Sequence, residues 1–112
     1  MSVLIAFEQG LHHCDGNTAI YQAVLQQFLL QYQQGLAIEP LLNDTEQARI
    51  ALHTLKGLAA TIGAAKLSAS AAQAYQQWSQ LDRSTATQQL EKLQAELVLV
   101  LQSIERYLAS PR

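Results

Sequence analysis

The residues best suited to chemistry lie together in the pentapeptide 53–57, which reads His-Thr-Leu-Lys-Gly. An imidazole with an ordinary pKa of about 6.5 is largely neutral near pH 7, so a histidine can act as a nucleophile without an adjacent general base. On a helix, Lys56 would lie one turn from His53, where its charge can reach an anion carried by the ring. The pentapeptide therefore predicts a nucleophile with a cation beside it.

The apolar residues around the pentapeptide predict an amphipathic helix, because with about 100° of rotation per residue they fall on one face. That face comprises Ala48, Ala51, Leu52, Leu55, Leu58, Ala59 and Ile62. The opposite face carries Arg49, His53, Lys56, Gly57 and Ala60. Packing does not need the second face, so we expect His53 to point to solvent. Arg49, one turn before His53, is equally consistent with helping to hold an anion and with a simple solvated charge.

Gly57 is costly within such a helix, because glycine is about 1 kcal/mol less favourable than alanine there. A glycine one turn from an exposed histidine indicates that another surface approaches the ring closely. Ala60 continues this uncluttered strip along the helix. We therefore expect Gly57 and Ala60 to belong to a docking surface around His53.

The segments before this helix predict a leader and one long helix. Residues 7–11 predict a brief leader helix that packs across one end of the other helices. The polar stretch 15–18 supplies a turn and an N-cap, and apolar residues then recur at three- and four-residue steps over 20–32. We expect this helix to end near Gly35.

The next segment predicts an irregular connection followed by the helix that carries His53. Residues 35–43, broken by Pro40, are irregular in pattern but apolar enough to cover an edge of the core. Asp44 with Gln47 three residues later has the spacing of a capping box and predicts the start of the helix. Gly63 is the expected C-terminal stop.

Two further helices complete the pattern. The third long helix is expected from about Lys66, and residues 82–85 predict the turn after it, with Thr85 and Gln88 as a second capping box. The inner faces of the two helices are predicted to carry Leu67, Ala71, Ala74, Tyr75, Trp78 and Leu81, then Leu90, Leu93, Leu97, Val100 or Leu101, Ile104 and Leu108. Residues 110–112 are expected to be loose.

Four amphipathic helices joined mostly by short turns predict an all-α fold: an antiparallel up-down-up-down four-helix bundle with a short N-terminal leader helix, in a single domain over residues 1–112. The formal charge is −2, from seven basic and nine acidic residues that are scattered along the chain. Nucleic-acid binding is therefore not expected. Without a signal peptide or an apolar run long enough to span a bilayer, the chain is expected to be cytoplasmic, without membrane insertion. It is also expected to be a monomer.

The tetrapeptide 12–15, His-His-Cys-Asp, raises the possibility of a metal site. Consecutive helical residues point in different directions, however, and no second ligand pair of recognised spacing is present. A solvated N-terminal turn is the favoured interpretation. The single cysteine, Cys14, also excludes an internal disulfide.

The motif around His53 resembles the histidine-containing phosphotransfer (HPt) domain of multistep two-component signalling. The resemblance spans nearly the whole chain and rests on 51–57, Gly63-Ala64 and Leu67, with Phe7, Gly10-Leu11, 15–17, Tyr21 and Phe28 upstream. It implies that His53 accepts a phosphoryl group from a receiver-domain aspartyl phosphate and passes it to another receiver. It further implies that Lys56 steadies the phosphate and that Gly57 leaves room for the receiver.

The resemblance also implies partners and their chemistry. The partners would be response-regulator receiver domains, those of a hybrid sensor kinase and of a downstream regulator. The receiver would supply the acceptor aspartate and Mg²⁺, so this chain would bind no cofactor itself. No nucleotide-binding or kinase signature accompanies the motif, so we do not expect autonomous kinase activity.

Two other classes of function remain possible on the residues alone. One is a non-catalytic helical interaction module that binds a receiver or a sensor kinase without relaying phosphate. The other is a metal- or haem-binding helical bundle, which needs inward-facing histidines, whereas His53 projects outward.

Overall fold

The computed structural model describes residues 4–110, which form helices and short connections without any β-strand. In chain order the α-helices are α1 (Phe7–His13), α2 (Thr18–Tyr32), α3 (Ile38–Leu42), α4 (Thr45–Ile62), α5 (Ala65–Gln77) and α6 (Arg83–Ala109). A 3₁₀ turn, Trp78–Gln80, follows α5. The all-α prediction is confirmed. The prediction for Pro111 and Arg112 lies outside the described residues.

Helix α4, which carries the pentapeptide, has the boundaries that its sequence predicts. Asp44 is extended and its carboxylate accepts a hydrogen bond from the Gln47 amide at 3.1 Å. The reciprocal half of the capping box is absent, because the Asp44 amide donates to the Leu41 carbonyl instead. At the other end, Gly63 adopts the left-handed conformation, with φ of 93°, and ends the helix.

The hydrophobic core lies between the four long helices. Helix α4 packs most extensively against α5, and α6 contacts α2, α3 and α5. The largest fully buried side chains are Tyr21, Leu25, Leu52, Leu55, Ile62, Leu67, Leu90, Leu93, Leu97, Val100 and Ile104. Each of these helices therefore buries one stripe and leaves the opposite face to solvent. None of the helices within residues 4–110 combines the length and apolar character needed to cross a lipid bilayer.

Helix α1 crosses the end of α4 and fixes its last turn. The Ala6 amide donates to the Gly63 carbonyl at 2.8 Å, and the buried Tyr21 hydroxyl donates to the Ile62 carbonyl at 2.8 Å. Gly10 lies so close to Tyr21 and Ile62 that a Cβ there would collide with both. Burial raises the pKa of Tyr21 above its ordinary value, and nearby Tyr107 and Cys14 contribute to the increase.

The irregular connection predicted for 35–43 is partly wrong, because it contains helix α3. Pro40 is the third residue of that helix, where the backbone N–H groups have no intrahelical acceptor, so proline is tolerated. The prediction that this segment covers the core is confirmed. Its half-buried residues against the core are Leu36, Ile38, Leu41 and Leu42.

Two details of the long helices also differ from expectation. Ile20, placed on the inner stripe of α2, is 52% exposed, whereas the adjacent Tyr21 is buried. Helix α6 is capped by Asp82, whose carboxylate accepts from the Thr85 amide at 2.7 Å, and not by Thr85 with Gln88. Because Asp82 precedes Thr85 in the same polar turn and its carboxylate accepts the Thr85 amide, α6 begins at Arg83, two residues before Thr85.

Candidate functional site

His53 lies on the exposed face of α4, as the periodicity of the sequence predicts. Neither ring nitrogen has a hydrogen-bond partner among residues 4–110. The ring contacts Tyr75 of α5, with 5.6 Å between the two ring centroids and 46° between their planes. An exposed imidazole with both nitrogens unengaged by the protein is available to attack an incoming electrophile.

Arg49 lies on the same face, one turn before His53, and also contacts Tyr75. The central carbon of its guanidinium is 5.1 Å from the centroid of the Tyr75 ring, within cation–π range. Arg49, His53 and Tyr75 border one open groove, together with Thr45, Glu46, Ile50 and Thr54. One aromatic ring from the neighbouring helix therefore contacts both a cation and the candidate nucleophile.

Tyr75 is the site residue that its sequence pattern did not identify. It was predicted on the inner face of its helix, but it is half-buried and packs partly on the core and partly on His53. It lies on α5, whereas the pentapeptide is on α4, so the contact depends on how the two helices pack. The one indication in the sequence is that Tyr75 lies at the border of the apolar stripe of its helix. Many tyrosines without a functional role occupy such a position.

Lys56 is half-buried, although its projection predicts a fully exposed side chain. It borders a groove with Ala60 and Ser68, and its carbonyl accepts a hydrogen bond from the Ser68 hydroxyl at 2.9 Å. Ser68, Ala69 and Ala72 of α5 border the same groove, so the neighbouring helix accounts for the partial burial of the lysine. Within residues 4–110 the one ion pair joins Arg83 to Glu39, so the protein neutralises neither Lys56 nor Arg49.

Gly57 has no structural need to lack a side chain. No atom outside its own stretch of helix lies within 4 Å of the position that a Cβ would occupy. Gly63, by contrast, has a positive φ, and a Cβ there would collide with the Ala6 carbonyl. Gly57 and Ala60 are both exposed, so the helix surface beyond His53 is low and open.

A separate apolar groove lies between α2 and α4. Its floor includes Phe28, Leu58 and Ile62, and the exposed Gln27 and Gln31 border it. The groove therefore has an apolar centre and a polar edge, and its Leu58 follows Gly57 directly in the chain.

The tetrapeptide 12–15 does not assemble into a cluster of ligands. His13 is exposed, and its Nδ1 lies 3.0 Å from the Thr61 carbonyl oxygen. Within the part of the chain that is described, no three His, Cys, Asp or Glu side chains come together as metal ligands.

No protein-family model, curated protein or solved structure matches this chain. Its function is therefore inferred from the residues and geometry of the site.

Proposed function

We propose that this chain is a histidine phosphotransfer protein, in which His53 accepts a phosphoryl group from a receiver-domain aspartyl phosphate and passes it to another receiver. The observation that carries the proposal is the exposed His53 ring, unengaged by hydrogen bonds, which shares a groove with the unneutralised Arg49 and lies one helical turn from Lys56 and from a glycine that packing does not require. The finer architecture belongs to the same proposal: α2, α4, α5 and α6 form an antiparallel four-helix bundle, with α1 as the leader.

The chemistry requires one nucleophile from this chain. The unprotonated ring nitrogen of His53 attacks phosphorus, a nitrogen–phosphorus bond forms, and the bond from phosphorus to the aspartyl oxygen breaks. The aspartate leaves as a carboxylate with the bonding electron pair, and the proton on the other ring nitrogen stays in place. The reverse sequence delivers the phosphoryl group to the next aspartate, so no oxidant, nucleotide or hydrolytic water is consumed.

The cations beside His53 suit the transition state of this reaction. Phosphoryl transfer passes through a loose transition state whose charge lies on the equatorial oxygens, so the protein contributes mainly by positioning and electrostatic stabilisation. Lys56 is one turn from His53 and provides a positive charge that no acidic side chain within residues 4–110 neutralises. Arg49 provides a second positive charge on the other side of the ring.

The surface around His53 suits a partner that binds and leaves repeatedly. Gly57 and Ala60 leave room for the rim of a receiver active site, and the α2–α4 groove offers an apolar anchor with glutamines at its edge. A small interface of this composition is typical of transient complexes. The receiver supplies Mg²⁺ and the acceptor carboxylate, so this chain forms half of the active site. It is neither a kinase nor a nucleic-acid-binding protein, and it works as a cytoplasmic monomer.

The test is transfer of labelled phosphoryl groups from a phosphorylated receiver with Mg²⁺. The wild-type protein is expected to acquire label that is labile to acid and stable to alkali, whereas His53→Gln acquires none. His12→Gln is the matched control, because His12 is an exposed histidine away from the site. Labelling of His53→Gln at the wild-type level would refute the assignment of His53 as the phosphoryl acceptor.

Lys56→Ala distinguishes charge stabilisation from packing in the same assay. The rate of transfer is expected to fall by about tenfold while receiver binding changes little, because the lysine acts on developing charge. A receiver that binds the wild-type chain tightly but transfers no label would instead favour the non-catalytic interaction module.

A further inference from the structure

We infer that Tyr75 is a positioning residue, which holds the His53 ring and the Arg49 guanidinium in the arrangement that phosphoryl transfer requires. The inference rests on the proposed function and goes beyond it, because it assigns a role to a residue outside the motif on α4. The centroid of the Tyr75 ring is 5.6 Å from the centroid of the His53 ring and 5.1 Å from the guanidinium carbon of Arg49.

Tyr75 is well placed to restrain its neighbours because it is restrained itself. It is half-buried on α5, packs against the hydrophobic core, and lies three residues before the buried Trp78. Helices α4 and α5 form the most extensive helix contact of the described residues. The phenol ring is therefore a partly buried support for two exposed side chains.

His53 needs such a support because no hydrogen bond from the described residues holds its ring. Its nitrogens make no hydrogen bond within residues 4–110, and Tyr75 is the one aromatic ring in contact with it. In-line attack on phosphorus requires the nitrogen lone pair to point along one direction, and a poorly oriented nucleophile loses much of its rate. Contact with Tyr75 limits the rotation of the imidazole while leaving both nitrogens accessible.

Arg49 gains a defined position from the same ring. A guanidinium over the face of a tyrosine remains charged and keeps its fork of N–H donors free for an anion. Glu46 borders the same groove but forms no ion pair with Arg49 in the described structure. Tyr75 thus holds the cation near the ring that carries the phosphoryl group, without cancelling its charge.

The experiment compares Tyr75→Leu with Tyr75→Phe in single-turnover phosphotransfer at increasing receiver concentration. Loss of the ring in Tyr75→Leu is expected to lower the saturating rate by about tenfold, with little change in the half-saturating receiver concentration. Tyr75→Phe keeps the ring and should transfer at close to the wild-type rate. Leu81→Ala, which alters another half-buried side chain packed on the core, controls for lost stability and should also retain the rate.

Proton NMR of the His53 ring distinguishes a positioning role of Tyr75 from a purely structural one, because a general loss of stability would not shift the imidazole proton resonances. The aromatic ring shifts the imidazole proton resonances, so Tyr75→Leu should move them towards the values of a free histidine, while Tyr75→Phe and Leu81→Ala leave them in place. A wild-type protein that accepts no label overturns the phosphotransfer proposal itself. If the wild type accepts label but Tyr75→Leu matches it in saturating rate and ring shifts, the positioning role alone is overturned.

Discussion

Replacement of Gly57 by alanine is expected to make the protein more stable and a poorer phosphotransfer partner at the same time. A Cβ at position 57 meets no atom within 4 Å outside its own stretch of helix, so the substitution introduces no clash within the chain. The full difference in helix propensity should then appear as about 1 kcal/mol of added unfolding free energy. For a chain of 112 residues this corresponds to an increase in Tm of about 4 °C.

The loss of function has a different origin from the gain in stability. If a receiver lies against the strip around His53, a methyl group at position 57 enters the space that the receiver occupies. Gly57→Gln separates the two effects, since glutamine has a helix propensity close to that of alanine but a much longer side chain. Stability should be similar in the two variants, whereas the transfer rate should fall further in Gly57→Gln than in Gly57→Ala.

The assays are thermal unfolding followed by circular dichroism and transfer of label from a phosphorylated receiver. Ala95→Gly is the matched control, because it makes the reverse exchange at an exposed position in the middle of α6. It should lose about 1 kcal/mol of stability without a change in transfer. If Gly57→Gln transfers label at the wild-type rate, a receiver does not occupy the space beside position 57. If Gly57→Ala is less stable than the wild type, a Cβ at this position does not fit the helix as described.

Two further predictions concern the stability of the fold. Tyr21→Phe leaves the buried Ile62 carbonyl without its hydroxyl donor and should lower the unfolding free energy by about 1–3 kcal/mol in urea titrations. Burial raises the pKa of Tyr21 above its ordinary value of 10.0. The stabilisation that its hydroxyl provides is therefore complete below about pH 10 and decreases as the pH rises through the raised pKa. Tyr21→Phe should not show this decrease. Asp82→Ala should lower the Tm at neutral pH, because the carboxylate that caps α6 is lost. Hydrogen bonds from Thr85 lower the pKa of Asp82 below 3.8, so the wild-type advantage is present above that pH and should disappear as pH falls through the lowered pKa in thermal melts.

The features that the sequence predicted well are those decided by a few neighbouring residues. Helix α4 begins after Asp44 because the carboxylate of this residue can reach an amide three residues later. It ends at Gly63 because glycine adopts a positive φ without strain. The exposure of His53 follows from the stripe of apolar residues on the same helix. These interactions lie within one or two helical turns, so periodicity and capping chemistry suffice to identify them.

The features that the sequence missed depend on packing between helices or on competition between near-equivalent residues. The contact of Tyr75 with His53 depends on how α4 and α5 lie together, which the periodicity of neither helix specifies. Ile20 fits the apolar period of α2 but lies at its border, where the neighbouring helices decide which residue is covered. At the start of α6, Asp82 and Thr85 are both good capping residues, and only the folded chain shows that Asp82 prevails.

The helical hairpin of α4 and α5, joined through Gly63 and Ala64, carries every residue assigned to the chemistry. Helix α6 contributes a long buried stripe, but neither α6 nor α3 contributes a residue to the groove around His53. On the proposed function, the residues assigned to phosphoryl transfer therefore lie within one contiguous stretch of the chain, residues 49–75. The joint between the two helices nevertheless depends on the rest of the chain, because the Ala6 amide and the Tyr21 hydroxyl donate to the Gly63 and Ile62 carbonyls.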